Sequence, residues 1–524
     1  ATRRKRGSTL RAPRAAGCRC SPRGSRAVAR IHCWRAARSR MMTVSPDISS
    51  SDSHMPFLAN KVQAIEMLEC RDETSSTTSN CRSSSSWTSS TSLSGEHGRR
   101  SRSLAWRFLT SMGPGLMACL ADTDGPCLIT AAQSGAEWGY SLLSLQIALV
   151  PILYMAQELT ARLGIVREAG MTAMLRLEIG PICAWAVSLP LLTTCILGLV
   201  SEFSIIGQTM AFWGVPVWQS NAVVSGTLLA IVATGSYSVA EWAGLILGSC
   251  QVAFFFTMLA AGAKTSDVIR DSVDFPLEQR GFVKLVTANI GAVIMPWMLA
   301  YQQSAICNKG LHDDTAHVQL FLSRLDTALG CFITQGVMAA MLITVAAVQP
   351  KGQSVDNLPA LLAVFTEVLH SEFAAKMLMT FAIIGACMVA AIVQSLCAAW
   401  TFEQALGRAT ATLAHAGDGH HSSRFAAGIT NIGARPTFYA VYAIVCCGSF
   451  VFTLLAENAV DLSVWTEFCN GVLMPPVVIS LWYLSAYTLP AEFRLQGMYK
   501  WITLVVFLLC SCFCVGSILF SFGS

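Results

Sequence analysis

The chain has 524 residues; 53% are hydrophobic and 13% are charged. A soluble domain carries roughly twice that charged share, so the composition excludes an ordinary soluble enzyme or binding module. The formal charge of +5 is uneven, because the first 40 residues hold twelve Arg, one Lys and no acid.

Residues 1–103 are expected to be a disordered, Arg- and Ser-rich tail. The stretch Thr74 to Ser94 is dominated by Ser and Thr and has too little apolar surface to form a core. Met41-Met42 is a candidate start, and the Arg-rich, acid-poor leader also resembles a transit peptide. A basic tail can bind nucleic acid or anionic lipid. The expectation here is a solvated tail and no nucleic-acid partner.

From residue 104 to 524 apolar segments of roughly 20 residues recur, the length that spans a bilayer as a helix. Eleven spans are expected: 112–133, 139–160, 182–210, 219–235, 239–263, 285–306, 326–348, 375–401, 436–456, 466–487 and 500–522. A β-barrel would need short alternating segments, and these do not occur. The fold class is therefore an all-α, multi-pass membrane protein, with the lipid bilayer as its partner. Fourteen basic residues fall on one set of short connections, among them Arg162, Arg167, Arg176 and Arg408, against six on the other. That bias places the N-terminus in the cytosol.

Two spans carry breakers near their middles. Span one contains Ala121-Asp122-Thr123-Asp124-Gly125-Pro126-Cys127, and span six contains Ile294-Met295-Pro296-Trp297. They lie five spans apart. Breakers at corresponding positions of two halves point to an inverted-repeat transporter with a midplane site. A freed backbone carbonyl, such as that of Ala292 one turn before Pro296, can then meet an ion.

Asp124 carries the strongest signal. A carboxylate inside an apolar span is costly and marks function, and its hard oxygen suits a divalent cation. Asp122 is a second acid, but positions i and i+2 of a helix point apart, so it joins the site only if unwinding begins before it. Met295 offers a soft thioether that favours transition metals. Glu202, Glu241, Gln251, Gln394 and Glu467 are the other polar residues of the spans. Glu202 is a candidate proton or gating group. Glu241 and Glu467 fall at span ends, where a structural role is expected. Most of the 20 Cys lie in apolar spans as packing residues, and no span offers a His ligand.

The breaks resemble those of the natural resistance-associated macrophage protein (NRAMP) family. The matching stretches are Gly113-Pro114-Gly115, Asp124-Gly125-Pro126-Cys127, Gly135-Ala136-Glu137-Trp138-Gly139-Tyr140, Gln157-Glu158-Leu159, Arg162-Leu163-Gly164 and Gly291-Ala292-Val293-Ile294-Met295-Pro296. The resemblance covers residues 104–524 and implies a LeuT-type fold of two inverted five-helix repeats plus one further helix. It implies metal ligands at Asp124, Met295 and the Ala292 carbonyl, and a pathway position at Gln394. Where the family has Asp-Pro-Gly-Asn this chain has Gly125 before Pro126, and Cys127 takes the place of the Asn. The family's span-six His falls on Trp297, and a second His falls near Gln302. Losing both removes the groups that titrate near neutral pH, which argues against proton coupling. Asp122-Thr123-Asp124 with Met295-Pro296-Trp297-Met298 and Tyr301-Gln302-Gln303-Ser304 looks like the NRAMP-related magnesium transporter branch. The resemblance then implies Mg²⁺ or Mn²⁺ as cargo, no resident cofactor, and alternating access around Asp124, Asp122, Cys127, Met295, Ala292 and Gln394.

The alternatives are a proton-coupled Mn²⁺/Fe²⁺ carrier, a sodium-coupled organic-solute carrier of the same fold, and a metal sensor that binds without flux. No nucleotide loop, catalytic Ser–His pairing or His-rich metal motif occurs in the spans, so no enzyme is expected.

Overall fold

The computed structural model describes residues 113–309, 315–355, 357–408, 436–454 and 458–522. The expected tail 1–103 lies outside them. In chain order the helices are α1 (Pro114–Asp122), α2 (Gly125–Trp138), α3 (Leu143–Arg167), α4 (Met171–Glu178), α5 (Pro181–Ala211), α6 (Val217–Ala233), α7 (Tyr237–Ala260), α8 (Thr265–Asp271), α9 (Arg280–Val293), α10 (Pro296–Lys309), α11 (Ala316–Val348), α12 (Leu358–Leu369), α13 (Glu372–Ala405), α14 (Pro436–Thr453), α15 (Ala459–Leu473), α16 (Pro475–Tyr487) and α17 (Gly497–Phe522). No strand occurs among the described residues.

All eleven expected spans lie on these helices. Spans one and six are the broken pairs α1/α2 and α9/α10. Span ten is also broken, with a 41° bend between α15 and α16 at Met474-Pro475. Helices α4, α8 and α12 are short additions in the connections. Two starts come earlier than hydropathy marks them: span seven begins at Ala316 and span ten at Ala459. The helical hydrogen-bond ladder continues past the apolar stretch wherever no breaker stops it, so polar turns are added at the ends.

The packing shows the two repeats. Span five (α7) lies on α1, and span ten (α15) lies on α9, so each repeat closes its last span on the first half of its first. Likewise α2 packs on span seven (α11), and α10 packs on span two (α3). Spans three (α5) and eight (α13) pair with each other. These reciprocal contacts are those of two inverted five-helix units, with α17 added against α9 and α16. Burial orders the spans from centre to rim: 94% of the apolar window of α9/α10 is buried, against 28% for α7 and for α17. The broken span therefore sits inside, and the outer helices present apolar faces suited to lipid.

Polar ties hold the bundle at one end. Glu158 of α3 lies 2.6 Å from both Arg162 and Arg324, and Arg162 donates to the Phe493 carbonyl at 2.9 Å. This joins span two, span seven and the segment before α17. Asp326 of α11 accepts the Gly115 N–H at 2.9 Å, which satisfies an orphan donor at the start of α1.

The second repeat closes on itself at a tight backbone contact between α9 and α15. A Cβ on Gly291 would sit 2.0 Å from the Glu467 carbonyl and 2.4 Å from the Gly471 nitrogen. Backbone cannot rotate away, so Gly291→Ala must part α9 from α15. The expected cost is at least about 1–3 kcal/mol, the usual scale of overpacking. A lower melting temperature of the detergent-purified variant is the measurement, and an unchanged one would refute this contact.

Candidate metal centre

Each first span breaks for a reason visible in its residues. Proline has no N–H, so a carbonyl four positions earlier loses its helical partner. Pro126 leaves the Asp122 carbonyl free in span one, and Pro296 leaves the Ala292 carbonyl free in span six. The residue before a proline is also pushed out of helical geometry, which places Met295 in the gap between α9 and α10. The C-terminal ends of α1 and α9 both point carbonyls into the gap, and such ends attract cations.

Helix α2 starts on Asp124, which is extended (φ −76°, ψ 178°) and caps it by accepting the Cys127 N–H at 2.8 Å. That turn brings the Cys127 side chain to face span six, where its thiol donates to the freed Ala292 carbonyl at 3.1 Å. Opposite them stands Glu467 of α15. One ligand atom each from Asp124, Cys127 and Glu467 lies within 4.8 Å of the others, and all three side chains are buried. Among the described residues this is the one trio of acidic, thiol or imidazole groups so arranged. Glu467 Oε2 accepts from Asn470 at 2.9 Å, whereas its Oε1 is buried without a protein partner.

Two further acids adjoin the trio. Glu202 of α5 neighbours Asp124; its Oε2 accepts the Gly125 N–H at 3.3 Å and its Oε1 is unpartnered. Asp122 ends α1, with both carboxylate oxygens buried and unpartnered. Asp122, Asp124, Glu202 and Glu467 are each at most 1% exposed, and none forms an ion pair among the described residues. Buried charge without a counter-ion costs several kcal/mol per group. Such a cluster is stabilised by a cation, by protons, or by both. Gly125 keeps the centre tight: a Cβ there would lie 2.5 Å from Cys387 Sγ and 2.9 Å from Glu202 Oε2.

The structure brings Asp124, Cys127 and the Ala292 carbonyl together. Met295 is fully buried in the adjoining gap. Asp122 remains helical, so unwinding begins after it and its side chain leaves the helix at a different angle from Asp124. Gln394 is buried on α13, against Gly198 of α5, with both amide atoms unpartnered. Glu467 is the residue that sequence reasoning misplaced. It does not sit at a span end, because α15 begins at Ala459 and carries it into the middle of the helix. The double proline Pro475-Pro476, read as a third breaker, would have marked a third half-helix facing the site.

Residues 115–519 match the family described as natural resistance-associated macrophage protein-like. Among named relatives, the divalent metal cation transporter MntH of Latilactobacillus sakei is 26% identical over 40% of this chain and 47% of its own length. MntH of Deinococcus radiodurans is 25% identical over 48% of this chain and 58% of its own. Metal transporter Nramp1 of Oryza sativa is 25% identical over 39% and 40%. The chain thus spans about half the length of the relatives it matches. In fold, it is similar to the Eremococcus coleocola manganese transporter, with a TM-score of 0.64 at 15% identity over 80% of this chain and 88% of that one. With the family match extending over most of its length and its helices arranged in the same way, the chain belongs to the NRAMP family.

Proposed function

We propose that this protein carries divalent metal ions, Mg²⁺ or Mn²⁺, across a membrane by alternating access around the gap in spans one and six. The observation that carries the reading is the buried trio of Asp124, Cys127 and Glu467 beside the freed Ala292 carbonyl. Asp124 and Glu467 neutralise the ion. The Ala292 carbonyl, Met295 and water complete its shell. Asp122 and Gln394 line the approach. Mg²⁺ keeps several waters and needs few carboxylates, which suits a site with two acids and no imidazole. The half-helices α1 and α10 rock about the two proline breaks to open the site to one side at a time, with the N-terminus in the cytosol. Coupling to protons is weak or absent, because Trp297 and Gln302 stand where the family has His.

A second reading, a proton-coupled Mn²⁺ or Fe²⁺ carrier, has its own support. Cys127 and Met295 are soft donors that prefer transition ions, and Glu202 has an unpartnered oxygen beside Asp124 able to take a proton. Flux into proteoliposomes with internal pH recorded separates the two. Mg²⁺ and Mn²⁺ entry without acidification is the expected result; Mn²⁺ entry alone, with acidification, would favour the second. Met295→Ala is expected to lower Mn²⁺ flux more than Mg²⁺ flux, because only Mn²⁺ gains from the thioether. Equal losses for both ions would remove Met295 from the shell.

A further inference from the structure

Helix α1 is a nine-residue bar with a joint at each end. At one end the chain leaves helical geometry at Thr123, beside Asp124. At the other, Gly113 has φ 149°, a conformation that glycine adopts and other residues resist. Between the joints the bar lies against glycines of two neighbouring helices. A Cβ on Gly244 of α7 would sit 2.7 Å from Met117 Cε, and one on Gly248 would sit 2.9 Å from Leu120 Cβ. A Cβ on Gly330 of α11 would sit 2.5 Å from Cys119 Sγ. Packing of this kind is not directional, so only polar groups fix where the bar comes to rest.

Those polar groups divide between the two ends. The last turn of α1 is held from three helices. Thr334 Oγ1 of α11 donates to the Cys119 carbonyl at 2.6 Å, and Gln251 Nε2 of α7 donates to the Leu120 carbonyl at 2.9 Å. Gln157 Oε1 of α3 accepts from the Cys119 thiol at 3.1 Å. In the middle, the Tyr301 hydroxyl donates to Met117 Sδ at 3.1 Å, a weak acceptor. The first turn is held through Asp326 of α11, which is 2% exposed and accepts the Gly115 N–H at 2.9 Å. Gly115 lies about 10 Å along the helix from Asp122, so Asp326 stands away from the ion centre. Against Gly113 lies the ion pair of Glu241 on α7 and Lys309 on α10, at 2.8 Å, which leaves no room for a side chain there. That end of the bundle is shut as long as the first turn stays seated.

We propose that Asp326 is the releasable catch of a gate whose leaf is α1. The three bonds on the last turn are the pivot. Release of the Gly115 N–H lets the first turn swing away from α7 and α11 and opens the bundle on the side where α1 begins. Asp326 is a positioning residue: it acts through α1 and touches no ion. That the opening serves ion flux rests on the transport reading; the catch itself does not. In Asp326→Ala the Gly115 N–H regains a partner only by reaching water. A buried donor left without an acceptor shifts such an equilibrium by roughly 5- to 100-fold, here toward the open form. Asp326→Asn keeps an oxygen in the same place and so keeps the catch.

Cys119 reports the opening, because it is fully buried where α1 meets α11 and α3. The test follows, by mass spectrometry of the detergent-purified full chain, the rate at which a water-soluble maleimide alkylates Cys119. Cys195 of α5, equally buried, is the control for general loosening. In Asp326→Ala the Cys119 rate is expected to rise by the factor above with the Cys195 rate unchanged, and Asp326→Asn is expected to react like wild type. In proteoliposomes Asp326→Ala is expected to lose Mn²⁺ flux, because the gate no longer closes, whereas Asp326→Asn keeps it. An unchanged Cys119 rate in Asp326→Ala, or Cys119 and Cys195 rates that rise together, would overturn the catch. Selective opening at Cys119 alongside a wild type that carries no divalent ion would support the catch and refute transport.

Discussion

Asp124→Ala is expected to lower divalent ion flux into proteoliposomes by more than about 100-fold, beyond the 10- to 100-fold typical of residues that only support a ligand. The reason is the double duty of this carboxylate. It caps α2 through the Cys127 N–H at 2.8 Å, and it faces the gap with Cys127 and Glu467. Ala removes both functions. The cap alone is worth about 0.5–2 kcal/mol, so some loss of stability accompanies the loss of flux. Asp124→Asn separates the two, since Asn caps a helix as well as Asp does. This variant is expected to melt like wild type and still carry almost no ion. An Asp124→Asn protein with native flux would mean that the cap, not the charge, is what matters.

Glu467→Gln is expected to move function and stability in opposite directions. Gln keeps the size of the side chain and retains an oxygen to accept from Asn470, but it removes one of four buried acids. Ion affinity is expected to fall by about 10- to 100-fold. The ion-free protein is expected to gain about 1–3 kcal/mol, because Oε1 no longer presents an unpartnered buried charge. Function held at the expense of stability is the usual mark of a binding site. A purely structural Glu467 predicts the reverse, a destabilised protein with normal affinity. Titration of Mn²⁺ together with thermal melting of the same samples decides between them.

Much of this architecture is legible in the residues because lipid leaves the backbone few choices. Apolar runs of spanning length must be helices, and the eleven expected runs lie on helices, with spans seven and ten starting earlier than hydropathy marks them. The gaps are legible for an equally local reason, since Pro126 and Pro296 remove N–H donors and free the Asp122 and Ala292 carbonyls. Asp124 stands out because a carboxylate has no business in an apolar span without a partner. The rest depends on tertiary placement. Cys127 acquires its partner only because the Asp124 cap turns α2 toward α9. Glu467 looked peripheral because hydropathy starts span ten late, whereas the helix begins at Ala459 and carries Glu467 inward. Asp122 obeys the spacing argument: α1 stays helical through it, and its neighbour across one turn is Cys119.

On the proposed function, a divalent cation sits between the two proline breaks. Anomalous diffraction from crystals of the protein grown with Mn²⁺ locates the ion without any assumption about transport. One strong peak is expected within coordination distance of the Asp124 and Glu467 carboxylates and the Ala292 carbonyl. A Mn²⁺ peak elsewhere in the bundle, with that gap unoccupied, would contradict it.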